Sequence, residues 1–160
     1  MGTQLMLVRK MLPQEFDATM ILFGYYRDEA IESIPKIAEE YDENSVLETI
    51  RLYASNYEYC WFNMYEGNRP VAFVAGYASA CPWNKKKISA NIAFIYVLKS
   101  HRNMERFKAL LDKFTEWAKT IDADEITGGD IGINPERTQA LYESFGFKPL
   151  VMMSKELINE

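Results

Sequence analysis

The sequence predicts a single α/β (α+β) domain in which strands form a sheet covered by helices. Three features carry that expectation. An aromatic run, Tyr59 to Tyr65, and an apolar run, Val71 to Ala80, flank the turn Glu66-Gly67-Asn68-Arg69 and read as a hairpin. Ile88 to Leu98 is apolar on both faces, as a strand in the middle of a sheet must be. Directly after it, Met104, Phe107, Leu111, Phe114, Ala118 and Ile121 recur at alternating threes and fours, the period of a helix with one buried face.

The remaining elements follow from local signals. Leu5 to Lys10 alternates weakly and reads as a first strand, ended by Leu12 and Pro13, which suit a helix entry. A helix from Pro13 to about Tyr26 aligns Phe16, Met20 and Phe23. Arg27 to Asn44 sets seven carboxylates against Arg27 and Lys36 and contains Pro35, so a loop or broken helix is expected there. Ser45 to Tyr53 carries Val46, Leu47, Ile50 and Tyr53 at helical spacing. Cys81 to Lys87 reads as a connection into the central strand. Asp124 to Gly132 is a weaker strand interrupted by Gly128 and Gly129. Asn134-Pro135 opens a helix with a cap and a first-turn proline, and that helix runs to Phe145 and closes at Gly146. A last strand is expected around Val151 to Ser154.

Composition removes several function classes. The chain has 160 residues, 48% of them hydrophobic, enough for one domain that buries about 70% of its unfolded surface. No apolar run approaches the roughly 18 residues needed to cross a bilayer, and the first ten residues lack the apolar core of a signal peptide, so no membrane partner and an intracellular site are expected. A net charge of −5 argues against nucleic acid, and Lys85 to Lys87 reads as a solvated loop tip. Cys60 and Cys81 show no metal-ligand spacing and read as two inert thiols; no metal is expected.

The element order, with the run NPERTQALYESFGFKPL from Asn134 to Leu150, resembles the GNAT N-acetyltransferase superfamily. The specific residues are Asn134, Leu141, Tyr142, Gly146 and Phe147, and small bacteriophage-encoded members look similar. The resemblance implies a GNAT fold with a mixed, mostly antiparallel sheet of about six to seven strands, splayed between the fourth and fifth and flanked by about four helices. It implies that acetyl-CoA lies in the splay, its pantetheine arm bonded like an extra strand, and that a primary amine is the acceptor. Tyr96, Val97, Arg102, Asn103, Arg106 and Asn134 fall where the cofactor would bind, and Tyr142 stands where a phenol protonates the departing thiolate.

The chain departs from that family pattern twice. The phosphate loop Arg/Gln-x-x-Gly-x-Gly/Ala would begin at Arg102, which places Glu105 and Phe107 at its two glycines. Glycines let the backbone approach phosphate oxygens, whereas Glu105 in the first helical turn repels them. Phe107 falls in the apolar period of the helix and is expected to turn into the core. The central strand also lacks the carboxylate that would deprotonate the amine, with Ile92 in about its place, so Asp130 or the acidic segment would have to supply the base.

Two functions therefore stand side by side. One is a fold whose cofactor site has degraded and which acts by binding a protein, for example as a phage virion or host-interaction component, with the tyrosines at 25, 26, 53, 57 and 59 as an aromatic contact surface. The other is an active acetyl-CoA-dependent N-acetyltransferase with Tyr142 as general acid. The two departures tip the sequence reading slightly toward the first. Localisation is expected to be cytoplasmic or within a phage particle, and a homo-oligomer is left open.

Overall fold

The computed structural model describes residues 6–130 and 133–157. Leu5, at the start of the expected first strand, and Ile131 and Gly132, at the end of the expected fifth, lie outside the described residues. The elements are β1 (Leu7–Lys10), a 3-10 turn (Pro13–Glu15), α1 (Phe16–Ser33), α2 (Ile37–Glu40), α3 (Glu43–Ser55), β2 (Tyr59–Glu66), β3 (Arg69–Cys81) and β4 (Asn84–Val97). A second 3-10 turn (Lys99–His101) then leads into α4 (Met104–Thr120), β5 (Glu125–Thr127) and α5 (Pro135–Glu143). The strands stand in sequence order, antiparallel from β1 to β4, with β5 parallel to β4.

Each sheet face is closed by helices whose apolar stripes match it. Leu110, Phe114 and Trp117 of α4 pack on Phe62, Met64, Val74 and Val97, and Phe114 is fully buried. On the opposite face Leu22 and Phe23 of α1 and Ile50 of α3 meet Trp61, Phe73, Ala75 and Tyr96. Phe23 stacks on Phe73 at 5.9 Å and Trp61 lies 5.0 Å from Phe73. Each such side chain removed from water contributes about 1.5–3 kcal/mol, which makes this cluster the main anchor of α1. The polar groups within it are paired: Trp61 Nε1 donates to Asn63 Oδ1 at 3.0 Å and Asn63 Nδ2 to Thr19 Oγ1 at 2.9 Å.

Several expectations are corrected. The first helix does not stop near Tyr26 but continues to Ser33, because Ala30, 1% exposed, extends the buried stripe while Asp28 and Glu32 face outward. Beyond it the expected broken helix is the short α2. The connection at Cys81 is a tight turn through Pro82 and Trp83, since Cys81 already pairs with Asn84. Five strands form among the described residues, not six or seven. The strand expected at Val151 to Ser154 is absent, and Val151, Met152 and Met153 are 85–93% exposed. Pairing explains this: β5 shrinks to three residues before the chain turns away at Gly128, leaving that segment almost no edge to join.

Two features of β4 shape the region that follows. Ala75 pairs with Phe94 but Gly76 with Ile92, so Ala93 is an extra residue, a β-bulge. The bulge changes which face each side chain takes: Ile92 and Ile95 both point toward α4 and α5, while Phe94 and Tyr96 point toward α1. Gly76 beside it is required by close packing, because a Cβ there would lie 2.2 Å from the Asn91 carbonyl and 2.5 Å from the Phe114 ring.

Candidate active site

The sheet opens where β5 leaves β4. Parallel pairing covers Ser89 to Asn91 of β4 only, and its last register is pinned by Thr127 Oγ1 donating to Asn91 Oδ1 at 2.7 Å, while Asn91 Nδ2 is anchored on Ser79 Oγ at 2.9 Å. From Ile92 to Val97 β4 has β3 on one side and no strand on the other among the described residues. Leu98 N–H bonds to Val71 of β3. Backbone polar groups alternate in direction along a strand, so the Val97 carbonyl points into the opening.

Tyr142 stands at this opening. Its ring lies edge-on to Phe107 at 5.7 Å and to Phe147 at 5.0 Å, and comes so close to Gly128 that a Cβ there would sit 2.7 Å from the ring. The residue is 5% exposed, and its hydroxyl is buried with no hydrogen-bond partner of ordinary geometry among the described residues. Burial first, then the charge of Asp130, push its pKa up, and the nearby Gly129 backbone draws it down only slightly. The phenol therefore holds its proton throughout the neutral range. A buried hydroxyl in that state costs stability, roughly 1–3 kcal/mol, unless something arrives to accept from it.

The loop at the other end of the opening is self-satisfied. Asn103 caps α4 by accepting from Arg106 N at 2.8 Å, and Arg106 Nη1 donates to the His101 carbonyl at 2.7 Å. Arg102 Nε and Nη2 lie 3.1 and 2.8 Å from the Val97 carbonyl oxygen, and Nη2 also reaches both Glu29 oxygens at 2.9 and 3.2 Å. Tyr96 donates its phenol proton to the same Glu29 carboxylate, and its pKa is raised by burial and by that partner. His101, the single histidine of the chain, pairs with Glu66 at 2.7 Å, a tether of the loop to β2. Phe107 turns inward as its place in the helical period predicts, 9% exposed, while Glu105 faces solvent.

On the α1 side of β4 lies a cleft of about 300 Å³ between α1, α2, α3 and Phe94. Phe23, Ile37, Tyr41 and Val46 give it apolar walls, and Glu40 and Asp42 stand at its edge. Asp42 is committed to capping α3, with Oδ2 accepting from both Ser45 N and Ser45 Oγ at 3.0 and 2.5 Å. The Glu40 carboxylate enters no hydrogen bond or ion pair with the described residues.

After burial, the charge of the candidate base Asp130 also raises the pKa of both Tyr142 and Tyr26. Its oxygens hold the start of α5, accepting from Ile133 N, Asn134 N and Thr138 Oγ1 at 2.5, 3.0 and 2.7 Å. Asn134 caps α5 as its position predicts, accepting from Arg137 N at 3.3 Å. Sequence reasoning did not single out Glu29 or Glu40, whose only signal was membership of the acidic segment. The tyrosines offered as a contact surface divide: Tyr25 and Tyr57 are exposed, whereas Tyr26, Tyr53 and Tyr59 pack into the aromatic cluster.

The sheet is mixed and opens between its fourth and fifth strands, and the model of the acetyltransferase (GNAT) family matches residues 23–147. The chain belongs to the GNAT family. Among solved GNAT-like structures, a predicted acetyltransferase with acetyl-CoA from Clostridium acetobutylicum superimposes with a TM-score of 0.74 at 17% identity, covering 96% of each chain. An aminoglycoside acetyltransferase from an uncultured soil metagenomic sample gives 0.73 at 18% identity, covering 98% of this chain and 100% of that one. A ribosomal-protein-alanine N-acetyltransferase from Brucella melitensis biovar Abortus gives 0.68 at 16%, covering 98% and 99%. These likenesses establish the fold. No curated protein sequence matches. No helix among the described residues is long and apolar enough to cross a membrane.

Among the described residues the opening therefore combines a strand edge paired on one side only with a buried hydroxyl that has no partner of ordinary geometry. At the α4 end of the opening Asn103, Arg102 and Arg106 are all engaged with the protein itself.

Proposed function

We propose that the protein is an acetyl-CoA-dependent N-acetyltransferase acting on a cationic primary amine. The observation that carries this reading is the buried Tyr142 hydroxyl at the splay, which has no partner of ordinary geometry among the described residues. A residue that served packing alone would be more stable as phenylalanine, and an acceptor such as a thioester sulfur gives the hydroxyl its use.

The chain's own residues divide the work. Backbone N–H groups on the open edge of β4 polarise the acetyl carbonyl while the amine nitrogen forms its new bond to carbon. Tyr142 keeps its proton and donates a hydrogen bond to sulfur as the carbon–sulfur bond breaks. The ammonium gives up two protons: in net the free thiol keeps the one that nitrogen loses after it bonds to carbon, and solvent finally takes the other, lost before attack. Glu40 draws the ammonium into the cleft and takes that proton directly or through water, a role left open because the bulge turns Ile92 away and places Phe94 on this face. Asp130 orients the start of α5 and thereby Tyr142. Acetyl-CoA supplies the activated acyl group; Tyr96, Val97, Arg102, Asn103, Arg106 and Asn134 border its place.

The experiment is thiol release from acetyl-CoA in the presence of a panel of primary amines. Polycationic amines are expected to turn over faster than neutral-tailed monoamines, and Glu40→Gln is expected to lower kcat/KM on the order of 100-fold. Absence of thiol release with every amine, from folded protein at millimolar acetyl-CoA, overturns the proposal. The second reading, a GNAT fold kept for protein binding, then takes its place. It is favoured by one observation, the internal engagement of Arg102, Asn103 and Arg106 at the end of the opening where the phosphates would lie.

A further inference from the structure

The open edge of β4 is spanned by a side chain of the protein itself. We infer that Glu29 is a positioning residue that holds Arg102 across that edge as a latch, which a diphosphate opens by taking the guanidinium in place of the carboxylate. The inference rests on the proposed function above and names how its cofactor site is controlled.

The geometry supports it from three sides. Arg102 sits at the head of the loop before α4, so its charge is at the phosphate end, yet its donors are turned back onto Val97 and Glu29. The Val97 carbonyl is the backbone acceptor at the phosphate end of the strand edge along which an extended ligand would lie. Tyr96 donates to the same carboxylate, and the guanidinium lies over the Tyr96 ring at 5.6 Å, so Glu29 is fixed in place. The Arg102 and Glu29 side chains are 34% and 30% exposed, which leaves the pair accessible to an incoming anion. A diphosphate offers more charge and more acceptor oxygens than one carboxylate, so exchange is favourable once the anion arrives.

Exchange has a consequence at the other site. Glu29 lies on α1, the helix whose Phe23 walls the acceptor cleft. Releasing Arg102 cuts the polar link between α1 and the cofactor loop, so occupation of the opening is coupled to the helix that shapes the amine cleft.

Calorimetric titration with CoA, and separately with pantetheine, which lacks the phosphates, tests this on the full chain. Glu29→Gln is expected to bind CoA about fivefold more tightly than the parent, the factor an accessible ion pair can contribute. Pantetheine affinity is expected to stay unchanged, since nothing in it competes for Arg102. Glu29→Asp should restore parental affinity, and Glu39→Gln, an equal charge change at an exposed position, should have no effect. Equal CoA affinity of parent and Glu29→Gln, or an equal gain in Glu39→Gln, overturns the latch and leaves the acetyltransferase reading standing. If neither parent nor Glu29→Gln binds CoA, both inferences fall together.

Discussion

Tyr142→Phe is expected to raise the melting temperature while removing most acetyl transfer. The two effects share one cause. The hydroxyl is buried with no partner of ordinary geometry among the described residues, so its deletion relieves a desolvation cost of about 1–3 kcal/mol, less whatever the nearby Gly129 backbone returns. For a chain of this length each kcal/mol moves the midpoint by roughly 2–4 °C. The same oxygen is the donor that would meet the leaving sulfur, and loss of such a group lowers kcat on the order of 100-fold or more. Thermal melting and steady-state kinetics on one preparation check both signs. A variant that loses stability shows the hydroxyl to be paired after all, and one that retains full turnover removes Tyr142 from the mechanism.

Gly128→Ala should damage the site through geometry alone. The added Cβ would stand 2.7 Å from one ring carbon of Tyr142 and 2.8 Å from the next ring carbon and the hydroxyl. The ring cannot retreat, because Phe107 and Phe147 pack on its other edges. Overpacking of this kind costs about 1–3 kcal/mol, and the displaced hydroxyl no longer lies where the sulfur needs it. Gly129→Ala meets no atom within 4 Å and serves as the control. The expected result is lower stability and lower kcat for the first change, with neither lost by steric means in the second. Equal behaviour of the two would show that Tyr142 is not held against Gly128.

What was legible in the sequence was whatever repeats along one element. The period from Phe107 to Ala118 fixed α4 and turned Phe107 inward, and the structure places both so. Asn134 with Pro135 marked the start of α5, and the hairpin around Gly67 was plain from its turn. Features that depend on distant partners were not legible. The bulge at Ala93 leaves no trace in a run where Ile92 to Ile95 are all apolar, so a change of face does not alter the pattern. Glu29 and Arg102 are 73 positions apart, and nothing local in either marks the other. The carboxylates after Arg27 suggested a loop because their charge masks Ala30, the residue that keeps α1 on the sheet. At Val151 the local pattern was strand-like, but a strand is made by its partner, and β5 ends too soon to offer one.

The family's fold is retained, and the loop before α4 is where the phosphates of the proposed donor would lie. Glu105 faces solvent and Phe107 is part of the α4–α5 interface, so neither fills the strand edge itself. The donors near the phosphate end are present but engaged, which predicts weaker binding of CoA, with affinity recoverable by freeing Arg102.

Thermal melting with and without acetyl-CoA tests the central claim, that the opening beside β4 is a working acyl-donor site. At about 100 times the dissociation constant the ligand is expected to stabilise the fold by roughly 2.7 kcal/mol, raising the midpoint by about 5–10 °C. An unchanged midpoint at millimolar acetyl-CoA would contradict the account.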